Sequence, residues 1–428
     1  MHALSGRPRH GVRPSFRDPR FALLAAGQAV NSVGGWASAI ALWGFAAYRF
    51  NAGPYAVAVA IVCWAGPPAL LSAPAGVLID RAGPGRALVA AYIAAAIAAL
   101  GMAAAGSLTG LDIAAAGYGI TRALAGPAAN ALPPRIVAAD DLLAANALLG
   151  AAASAGQVAG PVAASAALAL SGFPAAFILD AATYLVGAVA VASVVASPRH
   201  RAAPPAGLSS EGSPRPERRG KDNGSSVPEA QRYPVWKRKD IRLVVLLSVA
   251  VTFTSAAFLV VEPLYARHVL HRPPSQFALF EAAAGTGGIL AGLVISRVRS
   301  RLAGVRMTSV SAACYGLAAG LFAGTSVVPV AYAAALAWGV SGTLFGAVSV
   351  TTLQRAAPVA VHGRVMGLLA AIQSWTETAS LPLGGAVVAA LGVQAGAAAL
   401  AAVPVLAGLS CPAVPYFRGI AAGKPRPT

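Results

Sequence analysis

Charge is scarce in this chain. Only 11% of its 428 residues are Asp, Glu, Lys or Arg, and 57% are hydrophobic. An ordinary soluble domain averages about 25% charged residues, so a water-soluble globule is excluded and a bilayer is the solvent this composition demands. Acids are the scarcer sign, 14 against 32 basic residues, for a net charge of +18. There are three cysteines, Cys63, Cys314 and Cys411. They lie far apart inside apolar runs, which excludes a disulfide framework and leaves small packing residues. The six histidines fall outside the long apolar runs; His268 and His271 form an H-x-x-H without acidic or Cys partners, a solvated loop rather than a metal site. No G-x-x-x-x-G-K-[ST] loop is present, which removes the phosphate cradle of an ATP-driven pump. The period-2 alternation of a barrel strand is absent as well. Neither cofactor nor metal is expected.

What the chain does have is runs of about 20 apolar residues, the length that crosses a hydrocarbon core. Twelve start near Phe21, Pro54, Arg86, Gly110, Leu142, Pro174, Ile241, Phe277, Gly304, Val328, Arg364 and Val393. In lipid they must be helices, because an open sheet would leave backbone groups unpaired. If the N-terminus is inside, 28 basic residues fall in inside-facing segments, three (Arg49, Arg267, Arg272) in outer loops, and Arg122 within a helix. That asymmetry places both termini in the cytoplasm. It also argues against nucleic acid, because the charge is spread over loops and tails rather than gathered on a folded face. The first run carries Gln28 and Asn31 and lacks a clear cleavage site, so it is a helix rather than a signal peptide. Abundant Ala, with Arg far above Lys, suggests a high-GC bacterial gene.

Residues 197–240, rich in Pro, Gly, Ser and charge, read as a cytoplasmic linker. The expected organisation is a tail 1–20, a six-helix bundle 21–196, this linker, a second six-helix bundle 241–417, and a tail 418–428. "AGVLIDRAGPGR" (75–86) ends the second run as "AGLVISRVRSR" (291–301) ends the eighth. Ala, Gly, Ile and Arg coincide at an offset of 216, with Ser296 in the place of Asp80. Duplicated halves are typical of secondary transporters, with the substrate site between them. Physically, Gly76 permits close approach to a neighbouring helix, Asp80 awaits a donor at a helix end, and Gly83-Pro84-Gly85 turns the chain tightly. This stretch reads as a cytoplasmic latch; the plainer reading is an interfacial turn with topogenic arginines.

A charge near a helix centre costs about 2.5–3.5 kcal/mol on insertion scales, so those that persist are informative. Arg122 and Glu377 are placed near midplane. Asp180 and Glu281 sit closer to the outer ends, and all four are candidates for proton coupling. Glu262, at the outer end of the seventh run, is expected in solvent. Gln28, Asn31, Ser32 and Gly35 share one helical face, as do Gln373, Glu377 and Ser380. Such stripes turn inward to line a cavity, or serve as hydrogen bonds between helices. Trp36, Trp43, Trp338 and Trp375 either offer aromatic walls for a bulky substrate or face lipid and pack within the bundle.

Gly76-x-x-x-Asp80-Arg81-x-Gly83-x-x-Arg86 resembles the loop 2–3 signature of the major facilitator superfamily, and the resemblance covers nearly the whole chain. Segments such as "FALLAAGQAVNSVGGWASAIAL" and "LQRAAPVAVHGRVMGLLAAIQSWTETASLPLGGAV" are similar to the branch of enterobactin-type siderophore exporters and macrolide efflux proteins. Arg122 and Gly126 match its helix 4 pattern, and Gly156, Gly160 and Pro161 match part of the helix 5 pattern of exporters. Pro84 and Gly85 replace usual cations of the first signature. The resemblance implies an all-α integral membrane protein of twelve transmembrane helices in two six-helix pseudo-repeats. It implies gating by Gly76, Asp80, Arg81, Gly83 and Arg86, with Gly292, Ser296 and Arg297 in the second half. Gln28, Asn31, Ser32, Trp36, Gly156, Gly160, Pro161, Trp338, Gln373 and Ser380 are the candidate cavity residues. The expected activity is proton-coupled efflux of a drug-like, siderophore-like or natural-product molecule by a monomer in the bacterial plasma membrane, with lipids and protons as further partners. A lysophospholipid flippase or an importer on the same fold is the alternative. A remote one is an intramembrane serine protease, since Gly339-Val340-Ser341-Gly342 has the G-x-S-G pattern.

Overall fold

The computed structural model describes residues 19–137, 142–196, 238–297, 304–357 and 362–410. Residues 1–18 of the expected N-terminal tail, the C-terminal tail, Cys411 and nearly all of the expected linker lie outside them. Twelve long helices run in order: α1 Pro19–Gly44, α2 Pro54–Ala82, α3 Pro84–Ala103, α4 Leu108–Asn130, α5 Leu142–Ser171, α6 Phe173–Ala196, α7 Lys239–His268, α8 Pro274–Arg297, α9 Val305–Gly324, α10 Val328–Ala356, α11 His362–Leu391 and α12 Val393–Ser410. A π-helical turn, Phe45–Arg49, prolongs α1. Local chemistry sets the boundaries. Proline opens α2, α3 and α10, where its missing N–H is no loss. Ser107 caps α4 by accepting from the Gly110 amide at 3.1 Å. Gly83 separates α2 from α3 at φ +82, a value that glycine adopts without a Cβ penalty.

Nine of these helices are long and apolar enough to cross a membrane on length and composition alone. The other three, α1, α4 and α11, are long enough, at 26, 23 and 30 residues, but more polar. They carry Gln28, Asn31, Arg122, Gln373 and Glu377, side chains that need an interior partner or a wet cavity.

The two halves pack alike. α1 lies on α5 and α6, α2 on α4, and α3 on α4 and α6; in the second half α7 lies on α11 and α12, α8 on α10, and α9 on α10 and α12. Backbone details repeat 220 positions apart. Asn51 and His271 hold φ +53 and +52, and Gly172 and Gly392 hold φ +74 and +83. A Cβ on Gly119 would come 2.7 Å from the Trp64 carbonyl, and one on its counterpart Gly339 would come 1.7 Å from that of Ala284, the counterpart of Trp64. The repeat is therefore 220 rather than the 216 of the sequence motif, which is out of step by four residues, about one helical turn.

The halves meet through α2 against α11 and α5 against α8, contacts that the repeat exchanges. Their burial is uneven along the bundle. One apolar cluster joins both halves at the end holding Phe45, Phe173, Leu264 and Phe277. At the opposite end, which carries Arg20, Arg81, Arg86, Arg135 and Arg355 and is called here the basic end, each half keeps its own cluster. Phe21, Ala25 and Ala145 form one, and Ile241, Val244, Leu353 and Val365 the other. Joined at one end and parted at the other, the halves enclose a space that opens toward the basic end.

Candidate functional site: a cavity between the two halves

The cavity has a volume of about 1320 Å³, above the 300–1,000 Å³ of ordinary small-molecule pockets. Its wall draws on both halves. From α1 come Gln28, Asn31, Ser32, Trp36 and Trp43, and from α4 Tyr118 and Arg122; α10 supplies Trp338 and α11 supplies Gln373 and Glu377. The polar stripes of α1 and α11 thus face one another across the space. The three least apolar helices line it, which gives their polar groups water or a ligand instead of lipid.

The charged side chains on the wall are Arg122, Glu262, Glu281 and Glu377. The Arg122 guanidinium lies 3.9 Å from the ring centroid of Trp64, a cation–π contact that holds a half-buried cation without neutralising it. Its field reaches Glu377 on the other half and Asp180 on its own, with no direct ion pair to either among the described residues. Asp180 is fully buried and does not line the cavity. It accepts from the Tyr118 hydroxyl at 2.8 Å, and Tyr118 is 3.1 Å from the Tyr184 hydroxyl. Both tyrosines are on the cavity wall. Nearby, Tyr92 donates to Gln28 at 3.0 Å. A Cβ on Gly34 would lie 2.0 Å from Thr183 Oγ1, so α1 closes over Asp180 only because position 34 has no side chain.

The repeat acts as an internal control on these residues. The counterpart of Asp180 is Leu400, and that of Arg122 is Gly342. The same helix contacts form in the second half without either charge, so packing alone does not require them.

Several expected residues are placed elsewhere. Gly156 and Gly160 are off the cavity wall: a Cβ on Gly156 would be 2.0 Å from Ser32 Oγ, and one on Gly160 2.4 Å from Trp36 Cβ. They let α5 press against α1, and Pro161 in the same turn is buried. Ser380 is fully buried and donates to the Glu377 carbonyl at 2.8 Å. Trp375 is 61% exposed on the outside of the bundle. Glu262, expected in solvent, is only 3% exposed; α7 runs six residues beyond it and turns it onto the cavity wall beside Glu281. A sequence signal existed, since Ser248, Ser255 and Glu262 recur every seven residues on one face.

At the loop between α2 and α3, Asp80, Arg81 and Arg86 are exposed. Asp80 makes no hydrogen bond or ion pair among the described residues. A Cβ on Gly76 would meet nothing within 4 Å, and the same holds for Gly292; the close approach expected at Gly76 is not made in this arrangement. Gly83 supplies the turn, Ser296 lies in the last turn of α8, and Arg297 ends that helix. The far end is closed. Arg267 donates to the carbonyl of Ala47, and Tyr48 donates to that of Arg272 at 3.0 Å. Ser341 of the G-x-S-G stretch donates to Ala337 within its own helix at 2.8 Å, and its flanking Gly339 is a packing residue, so no nucleophile and base are assembled there.

Residues 24–376 match the Major Facilitator Superfamily. The chain belongs to that superfamily. Solved structures agree with the fold. One is a bacterial homologue of the human lysosomal transporter Spinster, inward-facing and occupied, at 14% identity over 94% of each chain and TM-score 0.66. Another is a bacterial homologue of the iron transporter ferroportin, inward-facing, at 17% identity over 91% of this chain and 98% of that one, TM-score 0.66. The nucleoside transporter NupG follows at 11% identity over 92% and 98%, TM-score 0.67. No curated protein matches. Membership in the superfamily makes the chain a multi-pass membrane transporter for small molecules and not an enzyme.

Proposed function

We propose that this transporter exports a bulky small molecule, drug-like, siderophore-like or a natural product of the kind handled by the enterobactin and macrolide branch, in exchange for protons. The observation that carries the reading is the placement of Glu377 and Arg122. They belong to different halves, face the same large cavity, interact through space and form no ion pair among the described residues. A carboxyl so placed takes up a proton or meets the cation according to which side the cavity opens to, and that is the property coupling requires. The basic end is then cytoplasmic, as the distribution of arginines indicates, and the arrangement described above is open to the cytoplasm. Asp180, behind Tyr118, is a second acid within reach of the same cation.

The cycle follows from the uneven burial. Rocking about the midplane parts the apolar cluster and the Arg267 and Tyr48 contacts at the outer end, and brings the basic ends together. There Asp80 gains a donor that it lacks in the inward-open arrangement. A proton moving down about 100 mV releases about 2.3 kcal/mol, which sustains roughly a fifty-fold gradient of a neutral exported molecule. Inside-out vesicles with an acidic lumen test the reading. A panel of hydrophobic compounds should include one that accumulates in the lumen beyond its level in vesicles lacking the protein and is lost on adding a protonophore. Absence of gradient-driven movement across the panel, or accumulation only in the opposite direction, contradicts it.

A further inference from the structure

The chain carries a net charge of +18, yet the charged groups on its cavity wall are three carboxyls and one guanidinium. Two of the three, Glu262 on α7 and Glu281 on α8, line the closed end of the cavity and lie within each other's field. Among the described residues no cation accompanies them. Arg267, five residues beyond Glu262, is turned to the Ala47 carbonyl and the Tyr48 ring. The repeat shows that the fold does not need acids here, because their counterparts, Leu42 and Ile61, are fully buried apolar side chains.

The surroundings are aromatic. Tyr315 lies within the field of both carboxyls and 5.7 Å from Trp338, ring centroid to centroid, and Phe258 packs on Trp338 at 5.2 Å. At the same end of the wall Trp43 is 2% exposed and its indole N–H has no acceptor. The adjacent Gly44 abuts Phe277 of α8, one turn from Glu281. An unpartnered buried donor on a cavity wall is a group that an acceptor atom carried elsewhere on a ligand satisfies.

We infer that Glu262, Glu281 and the Trp338–Tyr315 faces form a subsite for the cationic group of the substrate, so that the transported class is lipophilic amines and other organic cations. This rests on the reading of the cavity as the substrate path. The chemistry is complementary. A delocalised or alkylated cation gains from an acid pair, which its charge draws toward the ionised form, and from aromatic faces, and loses little hydration on entering. A neutral or anionic molecule of the same size gains neither and leaves the acid pair uncompensated.

The test is binding of radiolabelled tetraphenylphosphonium to the purified full-length protein, without any gradient, with displacement by unlabelled tetraphenylphosphonium and by neutral triphenylphosphine oxide. The cation should displace at least tenfold better than the neutral compound. Glu262→Gln and Glu281→Gln should each weaken cation binding tenfold or more, and Glu262→Asp should recover part of the loss. Asp240→Asn, which removes the same charge from the far end of α7, should change it less than twofold. The inference is overturned if the wild type does not bind the cation, if the neutral compound competes equally, or if the Gln variants, eluting as monodisperse protein, bind undiminished. Because the assay uses no gradient, its failure is distinct from failure of proton coupling, which the vesicle experiment reads.

Discussion

Arg267 donates to the carbonyl of Ala47, and the two residues are counterparts in the repeat, 220 positions apart. Halves related by an axis along the membrane normal bring equivalent positions together only on that axis, so this bond sits where closing the outer end brings the halves closest. Removing it by Arg267→Met should cost the closed outer end about 1–2 kcal/mol, a shift of about 5- to 30-fold in the ratio of the two arrangements. The check is the rate at which an impermeant thiol reagent reaches Leu259→Cys on the cavity wall from outside, in a cysteine-free background. That rate should rise by a comparable factor.

Close packing gives a graded expectation. A Cβ at Gly339 would fall 1.7 Å from the Ala284 carbonyl, one at Gly119 2.7 Å from the Trp64 carbonyl, and one at Gly117 meets nothing within 4 Å. Overpacking costs about 1–3 kcal/mol and sometimes more. Melting temperature in detergent should therefore fall most for Gly339→Ala, less for Gly119→Ala, and hold or rise slightly for Gly117→Ala, where alanine favours the helix and meets no neighbour.

Topology gives another. With the basic end inside, Gly106→Cys in the exposed turn between α3 and α4 should react with an impermeant reagent in intact cells, and Ser210→Cys should need a permeant one. The reverse pattern would turn the whole scheme over.

Asp80 is exposed and unpartnered among the described residues while the basic end is open. Asp80→Asn should leave substrate affinity of the inward-open protein within about twofold and slow turnover about tenfold, because a hydrogen bond to a charged group is worth about 1.5–3 kcal/mol. Equal turnover at equal expression removes the latch.

Much of this was legible in the sequence, and what was not has physical causes. The twelve helices begin within three residues of the expected starts, because apolar length is a strong signal in a bilayer solvent. The inward stripes of α1 and α11 followed from helical spacing. Asp180 lies behind the wall because depth along a helix does not say which neighbour its face meets. Gly156 and Gly160 show the same limit, since their spacing marks a packing face without naming the partner. Glu262 is on the wall because α7 continues six residues beyond it, past the point where the apolar pattern ends. The four-residue error in the repeat arose because a one-turn shift keeps nearly the same helical face, so the motif still aligned.

The central claim is that Glu377 carries the coupled proton. Gln keeps the shape of the side chain and some hydrogen bonding but cannot titrate. The decisive measurement compares Glu377→Gln with wild type in inside-out vesicles, reading accumulation driven by a pH gradient and substrate counterflow without one. Accumulation should fall to the equilibrated level while counterflow stays within about fivefold, since roughly 1 kcal/mol or less of binding is at stake. Accumulation against the gradient by the Gln variant would contradict it and move the coupling site to Asp180.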